Sequence, residues 1–148
     1  MPHIAFPTPF GDLSVFEERG AVIAVEWGRA GGVGKPTPLL KRARQQIDDY
    51  FDGKRRKFTL PFTLAGTEFQ KRVWMAIARI PYGQTASYGD VAHMVDSGPR
   101  AVGGACAHNP IGLIVPCHRV LASKGAIGGY GTGGLALKRQ LLRLEGVG

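Results

Sequence analysis

The residues best suited to chemistry lie in one short run, Pro116-Cys117-His118-Arg119-Val120, entered through the apolar stretch Leu113-Ile114-Val115. A thiol reacts as its thiolate, and an adjacent imidazole or imidazolium favours that form. Pro116 has no N–H and fixes its own φ, so strand pairing ends just before the cysteine. The pattern predicts a nucleophile presented at the end of a buried strand. The competing reading makes Cys117 a small core hydrophobe, the usual state of an unpaired cysteine. Asn109-Pro110 precedes the run, and a glycine-rich loop over 125–134 follows it.

Several elements must hold that run in place. Thr67-Glu68-Phe69-Gln70 fits a capping box that starts a helix. Phe69, Val73, Ile77 and Ile80 mark its buried stripe, with Trp74 beside it, and Pro81-Tyr82-Gly83 breaks it. Ser87-Tyr88-Gly89-Asp90 opens a second helix with a similar cap, running to about residue 95. The turn Asp96-Ser97-Gly98 leads to Pro99 at the start of a third helix, over about 99–108. Two short helices joined by a tight glycine-containing turn match a helix-turn-helix outline. The third helix is nearly bare, with Ala101, Gly103, Gly104 and Ala105. Each glycine costs ~1 kcal/mol relative to alanine. Such residues are kept where something approaches the backbone closely. That is either a neighbouring helix or a nucleic acid, the latter with Arg100 as the one long cationic side chain. A closing helix over 134–146 carries Leu135, Leu141, Leu142 and Leu144 on an apolar side and Lys138, Arg139 and Arg143 on a solvated basic side. Glu145 stands at its C-terminal end, where the helix dipole disfavours a carboxylate, so a cationic or hydrogen-bonding partner is expected for it.

The first half offers no comparable chemistry. Residues 3–6, 13–17 and 22–27 read as three short strands with turns at Phe10-Gly11-Asp12 and Glu18-Arg19-Gly20, hence an antiparallel meander. Thr37-Pro38 starts a helix whose apolar positions Leu40, Ala43, Ile47 and Tyr50 recur up to a stop at Gly53. Residues 54–66 form a linker whose run Lys54-Arg55-Arg56-Lys57 reads as a solvated turn. The expected class is α+β. Residues 1–62 form a small sheet with one covering helix, and 63–148 form a mainly helical domain.

With 148 residues, the chain is long enough for one domain or two small ones sharing a core. Its net charge of +8 divides unevenly: 10 Lys/Arg against 7 Asp/Glu in residues 1–66, and 9 against 4 in 67–148. A basic surface favours polyanions, nucleic acid first. No apolar run approaches the ~18 residues of a membrane span, and Met1-Pro2-His3-Ile4 has no signal-peptide pattern. A cytoplasmic protein is expected. In a reducing compartment the two cysteines, Cys106 and Cys117, are expected as free thiols, with Cys106 packed into the core. His3, His93, His108 and His118 have no metal-ligand spacing with them, so neither metal nor cofactor is expected.

Together the segments resemble the O6-alkylguanine-DNA alkyltransferase family, the methylated-DNA–protein-cysteine methyltransferases. The resemblance rests on Gly66-Thr67-Glu68-Phe69-Gln70, Ile80-Pro81-Tyr82-Gly83, Ser87-Tyr88, Arg100-Ala101-Val102-Gly103-Gly104-Ala105, Asn109-Pro110, Pro116-Cys117-His118-Arg119-Val120 and Gly133-Gly134-Leu135. It covers about 66–146 strongly and the first part in outline. It implies a ribonuclease H-like N-terminal part and a winged-helix-like domain bearing the helix-turn-helix. The implied activity is irreversible transfer of an alkyl group from guanine O6, in duplex DNA, to Cys117. A thioether cannot be hydrolysed by the groups present, so each monomer would act once. The resemblance also implies that His118 takes the thiol proton through a water, that Glu145 orients the imidazole and that Asn109 braces the turn. Tyr88 would donate towards guanine N3. Val120 and the loop at Tyr130 and Gly131 would line the guanine pocket. Arg100 would replace the everted base, while Ala101, Gly103, Gly104 and Ala105 let the helix lie in the minor groove.

The sequence departs from the family pattern in places. The segment between Tyr88 and Arg100 is about two residues short, Ala107 replaces a second arginine, and the Tyr130 loop has one extra residue. Gly112 stands where some members carry a proline wall, which predicts weaker binding of free benzylated guanine analogues. The zinc ligands some members carry near the N-terminus are absent. Two other readings compete: an alkyltransferase-like lesion-binding or regulatory helix-turn-helix protein without transfer, and a cysteine hydrolase using Cys117 and His118. The hydrolase would need an oxyanion hole and multiple turnovers, and the sequence carries no signature of either.

Overall fold

The structure, a computed structural model, describes residues 2–32, 34–122 and 134–147. The chain divides into two compact units, Met1–Ala65 and Gly66–Gly148.

The first unit is a meander, β1 (His3–Thr8), β2 (Gly11–Glu18) and β3 (Ala21–Trp27), paired antiparallel in that order. A register shift between Phe16 and Glu17 bends β2. Helix α1 (Pro38–Phe51) covers the sheet. Thr37 caps it by accepting from the Leu40 amide, and Pro38 opens its first turn. Leu40, Ala43, Ile47 and Tyr50 are all sealed in the core with Phe6, Leu13, Val15 and Val22. The unit runs past residue 62 because Val22 exchanges backbone hydrogen bonds with Pro61 and Thr63, tying that segment to β3.

The second unit holds α2 (Glu68–Ala78), β4 (Ala86–Ser87), α3 (Tyr88–Met94), α4 (Pro99–Ala107), a 3-10 turn (Cys117–Arg119), β5 (Val120–Leu121) and α5 (Gly134–Leu144). Both expected capping boxes are present. Thr67 and Gln70 satisfy each other's backbone amides at the start of α2, as do Ser87 and Asp90 at α3. Gly66 is fixed by packing, since a Cβ there would come within 2.7 Å of the Trp74 ring. Trp74 is 1% exposed and donates its indole N–H to the Ala105 carbonyl at 2.9 Å, pinning α4 to α2.

One expected element is replaced. Residues 111–115 do not form a strand: the Val115 amide bonds to the Ile111 carbonyl and the Ile114 amide to the Gly112 carbonyl, with Leu113 at φ +70°. The cause lies in Asn109. Its carboxamide accepts from the Ile111 amide and donates to the Val115 carbonyl at 2.8 Å, taking the groups a strand ladder would use. Ile111, Leu113 and Val115 are still buried, as in a strand, so hydrophobic content alone does not separate the two conformations.

Candidate functional site

The Asn109 turn delivers Cys117 as the first residue of the 3-10 turn. Asn109 Nδ2 also lies 3.3 Å from Cys117 Sγ, so one side chain fixes both the backbone and the thiol. The residue after that turn, Val120, pairs in parallel with Ala86, and Leu121 with Ser87. That short ladder brings the start of α3, where Tyr88 stands, to the cysteine segment. Tyr88 is half-buried and interacts electrostatically with both Cys106 and Cys117. Burial, and then the two thiols, push its phenol up to about 12, so it is protonated at neutral pH and can donate.

His118 is sealed completely. Its Nε2 lies 2.7 Å from Glu145 Oε2, with Glu145 just beyond the end of α5. The carboxylate has the partner its position at a helix C-terminus calls for, and it has a second one. Arg119 donates Nε to Oε1 at 2.8 Å and Nη2 to Oε2 at 3.0 Å, while its Nη1 reaches the Ile80 carbonyl at 2.7 Å. Burial holds the His118 pKa below its usual value, outweighing the opposing pull of Glu145. The ring is therefore neutral at pH 7. With Nε2–H donated to the carboxylate, Nδ1 is the basic nitrogen, and it has no hydrogen-bonding partner among the described residues.

Cys117 departs from the expected thiolate. Its pKa stands well above the usual thiol value, first through the hydrogen bond shared with Cys106, then through burial, with Asn109 and Lys138 opposing. Cys117 is 3% exposed and rests as a protonated thiol. Sequence adjacency to His118 does not activate it, because the imidazole is neutral and its hydrogen-bonded nitrogen faces Glu145.

Lys138 also departs from expectation. It belongs to no solvated face: it is 0% exposed, donates to the Val120 carbonyl at 2.6 Å and lies 5.6 Å from the centre of the Tyr88 ring. Burial pulls its pKa down to about 8, against the pull of Cys106 and Cys117. Sequence reading missed both Lys138 and the structural role of Arg119. The available signal for Lys138 was its helical register, since it neighbours Leu137, Leu141 and Leu142, all buried. Leu135, expected on the apolar side, is 42% exposed.

The remaining predicted residues fall in two places. Arg100, Ala101 and Gly104 are exposed on α4 and Gly103 is half-buried, whereas Ala105 is 3% exposed and turned into the core against Trp74. Ala105 therefore cannot touch a docked ligand through its side chain. A Cβ at Gly103 or Gly104 would meet nothing within 4 Å, so internal packing does not require glycine at either position. Val120 is sealed beside Cys117. Tyr130 and Gly131 lie outside the described residues. A surface cavity of about 1140 Å³ between α2 and the end of α3, lined by Met75, Arg79, Tyr82 and Met94 among others, touches none of the candidate residues. Among the described residues no group of three or more His, Cys, Asp or Glu side chains could hold a metal ion, and no helix is long and apolar enough to cross a membrane.

Both units are similar to known proteins. Residues 68–147 match the DNA-binding domain of 6-O-methylguanine DNA methyltransferase, and residues 3–64 match its ribonuclease-like domain. The constitutive methylated-DNA–protein-cysteine methyltransferase of Bacillus subtilis is 39% identical over 150 residues, covering 93% of this chain and 91% of that protein. The methylated-DNA–protein-cysteine methyltransferase of Mycobacterium bovis is 50% identical over 105 residues, 70% of this chain and 63% of its own length. The crystal structure of Mycobacterium tuberculosis OGT in complex with DNA superposes with a TM-score of 0.89 at 38% identity, covering 98% of this chain and 92% of that one. With both of its units matched in order, the chain belongs to the O6-methylguanine DNA methyltransferase family.

Proposed function

We propose that this protein repairs alkylated DNA directly, moving the alkyl group from guanine O6 in duplex DNA onto the sulfur of Cys117, once per molecule. The observation that carries the chemistry is the buried Cys117–His118–Glu145 arrangement. A neutral imidazole, locked by Glu145 and Arg119, has its basic Nδ1 without a partner among the described residues. Deprotonation is the task that arrangement suits. Cys117 starts as a thiol, and its proton passes through a water to Nδ1, where Glu145 stabilises the resulting imidazolium. The thiolate attacks the alkyl carbon in line. The C–S bond forms as the C–O6 bond breaks, and the electron pair departs onto guanine. Tyr88, held protonated, donates towards N3 as that negative charge develops. Lys138 supplies a buried positive charge close to the thiol, which favours the thiolate against the cost of burial.

The base must leave the duplex to reach a sulfur so enclosed, at a cost of a few kcal/mol of unstacking. Arg100 fills the gap, and contacts along α4 offset the cost. The bare face of Ala101, Gly103 and Gly104 is the surface laid in the minor groove, since no packing among the described residues explains the glycines. Asn109 acts as the brace, Val120 forms a wall of the guanine pocket, and the Tyr130-Gly131 loop completes it. The protein acts as a cytoplasmic, DNA-associated monomer without metal or cofactor.

Intact-mass analysis after mixing with duplex DNA containing O6-methylguanine tests the reading. The wild type gains one methyl group, mapped to Cys117, and Cys117→Ala gains none. Methylation surviving in the mutant sinks the site assignment. Tight lesion binding with no methyl gained by the wild type leaves only recognition without transfer, and sustained release of product with a free thiol recovered points to a hydrolase.

A further inference from the structure

One face of α2 takes no part in the chemistry above. Val73, Trp74 and Ile77 point into the core. On the opposite side Arg72, Met75, Ala76 and Arg79 recur at the i, i+3, i+4 and i+7 spacing of a single helix face. All four line the cavity of about 1140 Å³ that runs from α2 to the end of α3. Buried Ile80 and Val95 line it too, together with Met75 and Met94, which are 45% and 61% exposed. Apolar side chains exposed singly are ordinary, but these two share one groove with an apolar lining, the mark of an interaction site.

The charge along the groove is uneven. Lys71 is paired with Glu68 at 3.6 Å, and Arg72 rests 5.8 Å from the centre of the Phe69 ring. Among the described residues neither Arg72 nor Arg79 has a carboxylate partner. The two arginines stand two helical turns apart, about 10.5 Å along the axis, with Met75 between them.

We propose that this groove docks an acidic amphipathic helix of another protein. Its apolar face is seated on Met75 and Met94, and its carboxylates pair with Arg72 and Arg79. Methionine suits the task, because an unbranched, polarisable side chain adapts to the surface laid against it. An apolar stripe flanked by charge is how a helix is held in a groove. DNA does not match the site, since phosphates are held by polar and cationic groups and the lining here is largely apolar. A second copy of this chain does not match either: at a net charge of +8 it would bring surplus cations to Arg72 and Arg79. No residue of α4 lines the groove, so an occupant leaves the bare face of that helix available to the duplex.

The test uses the full-length protein and a fluorescein-labelled helical peptide with leucines along one face and glutamates beside them, followed by anisotropy. Saturable binding is expected, and it should persist when duplex DNA is bound. The same peptide with lysines for glutamates should not bind. Arg79→Glu and Met94→Glu, each checked for unchanged melting and methyl acceptance, should weaken binding by about tenfold or more. Lys41→Glu, the same change of charge as Arg79→Glu at an exposed position of α1, should leave it nearly unchanged. Absence of saturable binding overturns the proposal, and so does equal weakening by Lys41→Glu and Arg79→Glu, which marks general charge attraction. Loss of duplex affinity in Met94→Glu would make nucleic acid the occupant. A dimer of the protein alone that Met94→Glu dissociates in sedimentation would make it a second copy. Either result refutes docking of an acidic partner.

Discussion

Glu145 is the residue on which most of the site converges, for it binds His118 and Arg119 at once while 5% exposed. Removing one member of a buried pair strands the other charge, at roughly 3–5 kcal/mol. Arg119→Leu is therefore expected to lower unfolding free energy by about that amount in chemical denaturation, beyond what a surface arginine would cost. His118 must be neutral to accept a proton, and burial holds its pKa below 6.5. The rate of methyl transfer should thus stay level down to pH 6.5 and fall only below it, and His118→Asn should abolish that acidic limb along with most activity. Lys138 gives a separate signature. Folding lowers its pKa from 10.5 to about 8, so between these values the unfolded chain binds the proton and the folded one does not. Stability contributed through this group rises with pH across that window. Cys106 acts in the same direction there and Cys117 in the opposite one. Comparing wild type with Lys138→Met isolates the lysine: the mutant's stability should climb less steeply with pH, and equal slopes would contradict the assignment.

Among the elements, α4 sets stability against use. Its glycines at 103 and 104 face open space, where alanine fits without a clash and is the better helix former. Gly104→Ala should raise stability by up to ~1 kcal/mol while weakening binding to duplex DNA, measured by melting and by titration of labelled duplex. A gain in both would show that the bare face touches nothing. The helix boundaries were legible because their signals are local: Thr67 with Gln70, Ser87 with Asp90, and Pro38 and Pro99 at first positions. The stretch before Pro116 was not, since an apolar run reads the same in a buried strand or a buried turn. The deciding bonds come from Asn109, whose side chain gives no periodic signal.

For the whole molecule, the +8 net charge predicts affinity for DNA that falls steeply with salt, with a log–log slope of about −0.9 for each phosphate contacted. Arg100→Ala should impair repair within a duplex far more than reaction with the free alkylated base, because only the duplex must be held open. Equal losses on the two substrates would argue against its insertion into the base stack.

Residue order alone determined the meander, the capped helices, the helix-turn-helix outline and the thiol beside an imidazole, because each depends on neighbours within a few positions. It also marked Glu145 as a carboxylate in need of a partner, since a helix end carries its own field. Tertiary structure decided the protonation of the site. Burial and Cys106 keep Cys117 a thiol, the distant Glu145 fixes which nitrogen of His118 is basic, and packing around Leu137, Leu141 and Leu142 turns Lys138 inward. Those outcomes depend on desolvation and on charges brought together from far along the chain, and neither exists until the chain has folded.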